Sequence, residues 1–299
     1  MRKSKEERWF NIINYTILFL LTLLFIYPLY FVLIASVSEP YEVANGNVFL
    51  FPKGFTLTAY SNVFREENVW IGYRNTFLYT VLGTIYNLAL TIPAAYVLTK
   101  RHLPGRGILT AFFFVTMYFS GGMIPTYLNV KNLNLINSFW VMVIGSGVSC
   151  WNLIVTRQFF QSNVPDALYE AASIDGADDF YMFFGIALPL STPILAVMAL
   201  FYAVGHWNSY YSALLYLRTS KLFPLQLVLR NILITNQMVL TNAELEGDVE
   251  ALATAARRAY MAEAMKYALI FISAAPLLMM YPFVQKYFVK GVMIGAVKG

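Results

Sequence analysis

Long apolar segments without charge alternate with polar segments along the chain. A membrane-spanning helix needs roughly 20 mostly apolar residues, and six segments meet this requirement. Each is continuously apolar, whereas the strands of a membrane barrel alternate over about 10 residues. The pattern therefore predicts an all-α membrane protein with six transmembrane helices, at residues 12–36, 75–99, 107–127, 138–157, 188–213 and 267–285.

The composition indicates the same class of protein. Apolar residues make up 59 % of the chain and charged residues 12 %, against about 25 % charged residues in soluble domains. The net charge of +5 is spread over positions that flank the predicted helices, which suits contact with anionic lipid and gives no nucleic-acid-binding stripe. The single cysteine, Cys150, excludes a disulfide framework and a cysteine metal cluster.

Lysine and arginine near the ends of the predicted helices indicate the orientation in the membrane. They cluster in residues 2–8, 100–106 and 286–298, which places these segments in the cytoplasm. Six spans then put both termini in the cytoplasm. The long segment 214–266 also carries basic residues but falls outside, because long loops translocate largely regardless of charge.

The predicted helices lack the groups that ion-driven transporters use. No Asp, Glu, Lys or Arg lies in the middle of a predicted helix. Among side chains of this kind, only His206 lies well inside one. A proton relay needs such groups, so coupling to an ion gradient is disfavoured, although a sodium site made of backbone carbonyls would not be detected in this way. No phosphate-binding loop of the G-x-x-x-x-G-K-[ST] type occurs. We expect another protein to supply the energy.

A polar island, residues 158–187, separates two uncharged apolar segments. Pro165 suits the first turn of a helix, Gly176 can end that helix in the left-handed conformation, and Asp178 or Asp179 can cap the next. Small alanines leave a thin face that a partner protein could approach closely. The pattern predicts a helix–turn–helix that couples to a partner, but an ordinary solvated loop fits it equally well.

Several motifs resemble those of one transporter family. Glu170-Ala171-Ala172, Asp175-Gly176-Ala177 and Ile186-x-Leu188-Pro189 resemble the EAA signature in permease subunits of binding-protein-dependent ABC importers. Further motifs are similar to the carbohydrate branch, in particular to the smaller membrane subunit of maltose-type importers: Asn75-Thr76, Ala94-Ala95-Tyr96, Leu103-Pro104-Gly105-Arg106, Pro125-Thr126-Tyr127 and the segment 285–299. Residues 204–210 and 223–230 resemble subunits that serve oligosaccharides or polysaccharide fragments.

The resemblance implies a type I ABC importer permease in a bacterial cytoplasmic membrane. Its partners would be a second permease, two ATPase subunits that hold ATP and magnesium, an external solute-binding protein and a saccharide. This subunit itself would be no enzyme and would bind no cofactor. The coupling residues would be Glu170, Ala171, Ala172, Asp175, Gly176 and Ala177, together with Gly291 and Gly295 in a tail that reaches the ATPase. The pair Asp178-Asp179 departs from the family by adding negative charge.

The predicted organisation follows from these assignments. Residues 1–70 comprise an N-terminal cytoplasmic segment, the first helix and an external loop, residues 71–289 form the transporter domain, and residues 290–299 form a cytoplasmic tail. The transporter domain contains the EAA loop, 162–187, and the external loop, 214–266. Within the latter, residues 222–234 and 243–265 have helical patterns.

The solute path is predicted from side-chain chemistry. Sugars need aromatic rings for their C–H faces and paired polar groups for their hydroxyls. Candidates with this chemistry are His206, Trp207, Asn208, Tyr210, Trp151, Asn152, Tyr118 and Tyr127. Tyr and Trp also populate membrane interfaces, and Asn and His also bond between helices, so the same residues fit a purely structural role.

Two other functions stay open on the sequence alone. The same kind of permease could carry a polyol or a glycerophosphate, and a phosphorylated solute would require a basic residue in its path. A membrane-embedded enzyme would require catalytic acids or a metal set. The adjacent pairs Glu66-Glu67 and Asp178-Asp179 have no His or Cys companion and do not form such a set.

Overall fold

The computed structural model describes residues 5–246 and 249–296, and every regular element within them is helical. The N-terminal part contains α1 (Lys5–Ser36), α2 (Pro40–Ala44), α3 (Thr58–Arg65) and α4 (Glu67–Val97). The middle contains α5 (Arg106–Tyr118), α6 (Met123–Asn132), α7 (Phe139–Ile144), α8 (Cys150–Asn163) and α9 (Asp166–Ile174). A short α10 (Asp179–Tyr181) then continues through a π-helical segment (Met182–Ala187) into α11 (Leu188–Leu190). The remainder is α12 (Thr192–Trp207), α13 (Tyr210–Tyr216), a 3-10 turn (Ser220–Leu222), α14 (Leu225–Glu246) and α15 (Val249–Ala296).

The chain divides into two compact units, which are residues 1–69 with 229–275 and residues 70–228 with 276–299. In the first unit, Ile34 and Ala35 near the end of α1 pack with Val43 and Val48. The rings of Phe31 and Tyr267 meet edge to face there, with their centroids 5.5 Å apart. The rest of α1 is largely exposed, as expected of an apolar helix that faces lipid.

The second unit contains two buried clusters, one towards each end of α4. Tyr79, in the first half of α4, packs with Val141 to Val143 of α7, Ala213 and Leu227. Tyr96, near the C-terminal end, packs with Phe160 of α8 and Phe183 of the π-helical segment. Helix α4 is therefore the element that both clusters share.

Three described helices are long and apolar enough to cross a membrane, and the number reaches five if each of two bent helix pairs is one span. The long helices lie within Glu6–Ser36, Glu67–Val97 and Ala253–Met280, and the bends are 114° between α5 and α6 and 79° at Ser191 before α12. The all-α membrane class is confirmed. The apolar part of the last helix begins earlier than the predicted 267–285, because an alanine-rich stretch from residue 253 adds to it.

The predicted continuous helix over residues 138–157 is wrong. In the structure α7 ends at Ile144 and α8 begins at Cys150. The break contains Gly145, Ser146 and Gly147, and glycine has a low helix propensity. The count of six spans and the cytoplasmic location of both termini stay predictions.

Candidate functional site

A cavity of about 690 Å³ lies in the second unit, beside the break between α7 and α8. Four of the predicted solute-path residues line it: Asn152, His206, Asn208 and Tyr210. Tyr202, Tyr211 and Tyr216 add aromatic rings to the wall, and Ser146, Ser149 and Ser209 add polar groups. Among the described residues of the wall there is no Asp, Glu, Lys or Arg. The cavity is therefore aromatic and polar without formal charge.

Asn87 of α4 organises the centre of this wall. Its amide nitrogen donates to the carbonyl of Ser146 over 2.5 Å and also to the carbonyl of Gly147. These carbonyls belong to the break between the helices, where helical hydrogen bonds are missing. The Asn87 Oδ1 atom then faces His206 Nε2 at 2.6 Å. Because the amide oxygen can only accept, His206 donates from Nε2.

Gly83 makes room for the His206 ring. A Cβ atom at Gly83 would collide with the imidazole of His206, which is itself 6 % exposed. Glycine therefore allows α4 and α12 to approach closely, one helical turn before Asn87. Packing of this kind fixes the imidazole against the wall of the cavity.

Tyr202 ties the same wall together through its hydroxyl group. The hydroxyl lies 2.6 Å from Thr91 Oγ1 on α4 and accepts from the backbone N–H of Ser149 over 3.2 Å. Ser149 in turn caps α8, since its side chain accepts from the N–H of Asn152. The start of α8 is thus fixed to both α4 and α12.

The other predicted path residues lie elsewhere. Trp207 is buried, with its ring centroid 6.4 Å from that of Tyr73. Trp151 and Tyr118 are 57 % and 76 % exposed and do not line the cavity. Tyr127 stacks on Tyr216, a wall residue, at a centroid distance of 6.2 Å. Contact of any of these residues with a solute stays a prediction.

Asn87, Thr91 and Tyr202 were missed by the sequence analysis. Asn87 and Tyr202 are buried residues of the wall, and Thr91, which does not line the cavity, is buried and bonded to Tyr202. The available signal was a polar side chain within an apolar helix, because such groups bond inside a helix bundle. That signal does not distinguish Asn87 from polar residues that face lipid headgroups.

The local structure of the EAA loop follows its sequence. Helix α9 ends at Ile174, and Gly176 adopts the left-handed conformation with φ +80°. The N–H of Ala177 donates to the carbonyl of Ala172 over 2.9 Å, which closes a Schellman motif. Asp178 caps α10 by accepting from the N–H of Tyr181 over 2.7 Å. Pro165 is the N-cap residue of α9, one position before the first helical turn. The sequence had predicted it within that turn.

The predicted coupling residues are mostly exposed. Glu170, Ala171, Asp175 and Gly176 are exposed, while Ala172 and Ala177 are half-buried by the closure of the loop. Ile174, which no neighbouring side chain covers, is 86 % exposed. The outer face of the loop therefore combines carboxylates with an uncovered apolar side chain, as a docking surface would. The coupling role of these residues stays a prediction.

A second cavity, of about 740 Å³, lies between the EAA loop and the connection from α4 to α5. Lys100, Tyr169 and Glu170 line it, as do Asp166 and Asp179. The Lys100 ammonium lies 3.9 Å from the ring centroid of Tyr169 and 4.5 Å from that of Tyr96. Burial lowers the pKa of Lys100, partly opposed by the carboxylates of Asp179 and Asp166. Burial also raises the pKa of Tyr169 to about 12.

Gly291 and Gly295 lie in the last turns of α15, which the structure describes as far as Ala296. The predicted tail 290–299 is therefore helical over most of its length. Its final residues, 297–299, lie outside the described residues. The approach of this segment to an ATPase stays a prediction.

Comparison with known proteins identifies the family. Residues 69–294 match the family described as "Binding-protein-dependent transport system inner membrane component". The chain belongs to this family. The permease is a transport subunit rather than an enzyme, and its family works with an ATPase and a solute-binding protein.

Individual relatives match almost the whole permease. It is 40 % identical over 299 residues to Protein LplC of Bacillus subtilis (strain 168). The matched region covers 100 % of this chain and 98 % of LplC. It is 37 % identical over 294 residues to the polygalacturonan/rhamnogalacturonan transport system permease protein YtcP of the same organism. The matched region covers 98 % of this chain and 100 % of YtcP.

A solved structure shows the same fold. The crystal structure of a bacterial ABC transporter involved in the import of the acidic polysaccharide alginate contains a chain that is 32 % identical to the permease. The TM-score is 0.84, and the match covers 96 % of this chain and 99 % of the other. The predicted type I importer permease fold is confirmed.

Proposed function

We propose that this permease forms half of the translocation pathway of an ATP-driven importer for oligosaccharides or polysaccharide fragments. The observation that carries the proposal is the 690 Å³ cavity, whose wall combines tyrosine rings with amide and hydroxyl groups and, among the described residues, contains no Asp, Glu, Lys or Arg. Its volume falls in the range of about 300–1,000 Å³ that is typical of small-molecule sites.

The chemistry of the wall suits a sugar. Tyr210 and Tyr211 are partly exposed rings on which the C–H faces of a sugar can stack. Asn208 is exposed and can exchange hydrogen bonds with sugar hydroxyls. Asn87 and His206, by contrast, are occupied with each other and hold the shape of the wall. Relatives named for polygalacturonan, rhamnogalacturonan and alginate support a saccharide of the polysaccharide-fragment type.

The proposed assembly follows the family. A second permease would complete the pathway, and two ATPase subunits, which hold ATP and magnesium, would dock on the EAA loop. The exposed carboxylates and Ile174 of that loop support this docking, with Gly291 and Gly295 of the C-terminal segment nearby in the assembled complex. A solute-binding protein would deliver the saccharide at the outer face of a bacterial cytoplasmic membrane.

The alternative solutes have less support. A glycerophosphate and a uronate oligomer are both anionic, so the absence of Lys and Arg from the described wall does not separate them, but two relatives are named for polysaccharides. A polyol lacks the extended ring faces for which several tyrosines would be useful. No observation favours either over a saccharide.

Reconstitution of the complete complex tests the proposal. The permease with its partner permease, ATPase and binding protein, placed in liposomes, is expected to accumulate labelled oligosaccharides when ATP is supplied. Galacturonate and alginate oligomers, neutral oligosaccharides of equal length and glycerol phosphate would be compared. Uptake of glycerol phosphate with no uptake of any saccharide would contradict the proposal. ATP hydrolysis by the isolated permease would contradict the role of a separate ATPase.

A further inference from the structure

We propose that Lys100 is a positioning residue that connects the EAA loop to α4 through the rings of Tyr169 and Tyr96, and thereby links ATPase docking to the cavity. This inference rests on the proposed docking of the ATPase at the EAA loop. It concerns side chains of the permease itself and does not depend on which solute is carried.

The contact geometry favours Lys100 as the connecting group. Its ammonium lies over two rings at once, Tyr169 on α9 and Tyr96 on α4. The two ring centroids are 6.2 Å apart, so the cation covers the junction between them. A cation over an aromatic ring interacts more strongly when it is desolvated, and Lys100 is half-buried with a pKa lowered by burial.

Tyr96 is also anchored by two other rings. Its ring is 4 % exposed and packs against Phe183 at 4.9 Å and Phe160 at 5.8 Å. Its hydroxyl group has no hydrogen-bond partner among the described residues. Ring contacts, rather than a hydrogen bond, therefore hold Tyr96 and transmit any displacement of Lys100.

Helix α4 continues from this anchor to the cavity. Thr91 and Asn87 lie five and nine residues before Tyr96 on the same helix, so Asn87 is about 14 Å from Tyr96 along the axis. Thr91 bonds to Tyr202, and Asn87 bonds to His206 and to the break before α8. A movement of α9 that is passed to Tyr96 therefore reaches the wall of the cavity through one helix.

The neighbouring Arg101 provides a contrast within the same connection. It also contacts α9, through an ion pair of 3.3 Å with Asp166, but the two side chains are 88 % and 72 % exposed. Exposed ion pairs contribute little, because water and salt screen them. If positive charge in the connection from α4 to α5 were sufficient for coupling, replacing either Lys100 or Arg101 would impair it. If contact with the rings is required, replacing Lys100 alone would impair it.

The test compares Lys100→Met with Arg101→Met in the complete complex. ATP hydrolysis would be measured without and with loaded binding protein, in lipid nanodiscs. For Lys100→Met we expect normal assembly and basal hydrolysis but a stimulated-to-basal ratio lower by roughly five- to tenfold. Arg101→Met should retain the ratio of the unmodified complex. Lys100→Arg, which keeps a cation over the rings, should also retain it.

Three ring variants examine the same contact from the other side. Tyr169→Leu should lower the ratio as Lys100→Met does, whereas Tyr169→Phe and Tyr96→Phe should not, because each keeps its ring. Hydrogen exchange of residues 166–174 in the assembled complex supplies a second measurement that needs no solute. Exchange should be faster in Lys100→Met and Tyr169→Leu only.

The results separate this inference from the proposed function. Unchanged stimulation and exchange in Lys100→Met, or an equal loss in Arg101→Met, would overturn the role of Lys100. A complex that imports no saccharide but shows faster exchange in Lys100→Met alone would overturn the proposed substrate and leave the positioning role intact.

Discussion

The two cavities of the second unit differ in how they accommodate polar groups. The cavity of about 690 Å³ is built from neutral amides, hydroxyls and tyrosines, whose buried members bond to one another. The cavity under the EAA loop is lined by lysine, arginine and carboxylate side chains. Placing a charged side chain in the hydrocarbon region costs several kcal/mol of free energy, unless a long side chain extends its charge to the membrane surface. A charge at the membrane surface remains hydrated. Neutral networks therefore shape the proposed pathway, and charged groups lie at the proposed docking surface.

The largest effect is expected from replacing Asn87 in the wall of the 690 Å³ cavity. Asn87→Leu removes three hydrogen bonds and leaves His206 and the carbonyls of Ser146 and Gly147 without this partner. An unpaired buried group such as the His206 imidazole costs about 1–3 kcal/mol, so we expect a marked fall in the thermal stability of the purified complex and loss of uptake.

Asn208→Leu is the matched control for that substitution. Asn208 also lines the cavity, but within the described residues its side chain donates only to the carbonyl of Val204, in the last turn of α12. We expect near-normal thermal stability, with uptake reduced through a higher KM. Equal destabilisation by both variants would show that the network around Asn87 has no special structural role.

A charge placed in the neutral cavity is expected to have an intermediate effect. Asn208→Asp should lower the uptake of an acidic oligosaccharide about tenfold more than that of a neutral one of equal length, because like charges in a partly buried site repel by about 1–2 kcal/mol. Competition between the two labelled sugars in liposomes measures this ratio, with Asn208→Gln as the neutral control. An equal loss of uptake for both sugars would show that Asn208 does not lie near the acidic groups of the solute.

The smallest effect is expected in the EAA loop. Gly176→Ala places a side chain at φ +80°, which costs about 1–2 kcal/mol and should loosen the end of α9. Hydrogen exchange at residues 172–177 should become about fivefold faster or more, and stimulated ATP hydrolysis should fall moderately. Gly105→Ala carries similar strain at φ +71° and also has open space around it, but it precedes α5. The same loss of stimulation in Gly105→Ala would argue against a specific role for the EAA loop.

The structure of the EAA loop was predictable because its determinants are local. Gly176 and Asp178 act on backbone groups within a few residues, and both do what the sequence indicates. The same holds for α14, which covers most of the predicted helical segment 222–234 and begins directly after Pro224. Capping and turn chemistry need no knowledge of distant segments.

The interruption at residues 145–149 was not predictable from hydropathy. The segment is uncharged and apolar on average, so a window average does not separate it from a continuous helix. The break is stabilised by Asn87, which lies 59 and 60 residues away from the carbonyls it binds. Trp151 and Tyr118 illustrate the same difficulty, because their residue type suits a solute path while their position leaves them outside the cavity.

The sequence by itself determined the membrane class, the helical character, the local form of the EAA loop and, through its motifs, the permease family. These properties depend on composition, periodicity and short-range capping. Only the tertiary structure decided which polar side chains share a cavity and which rings surround Lys100. Asn87 and His206 are 119 residues apart in the chain and meet because α4 and α12 pack closely at Gly83. Packing between distant helices, unlike hydropathy, depends on the shapes of both partners at once.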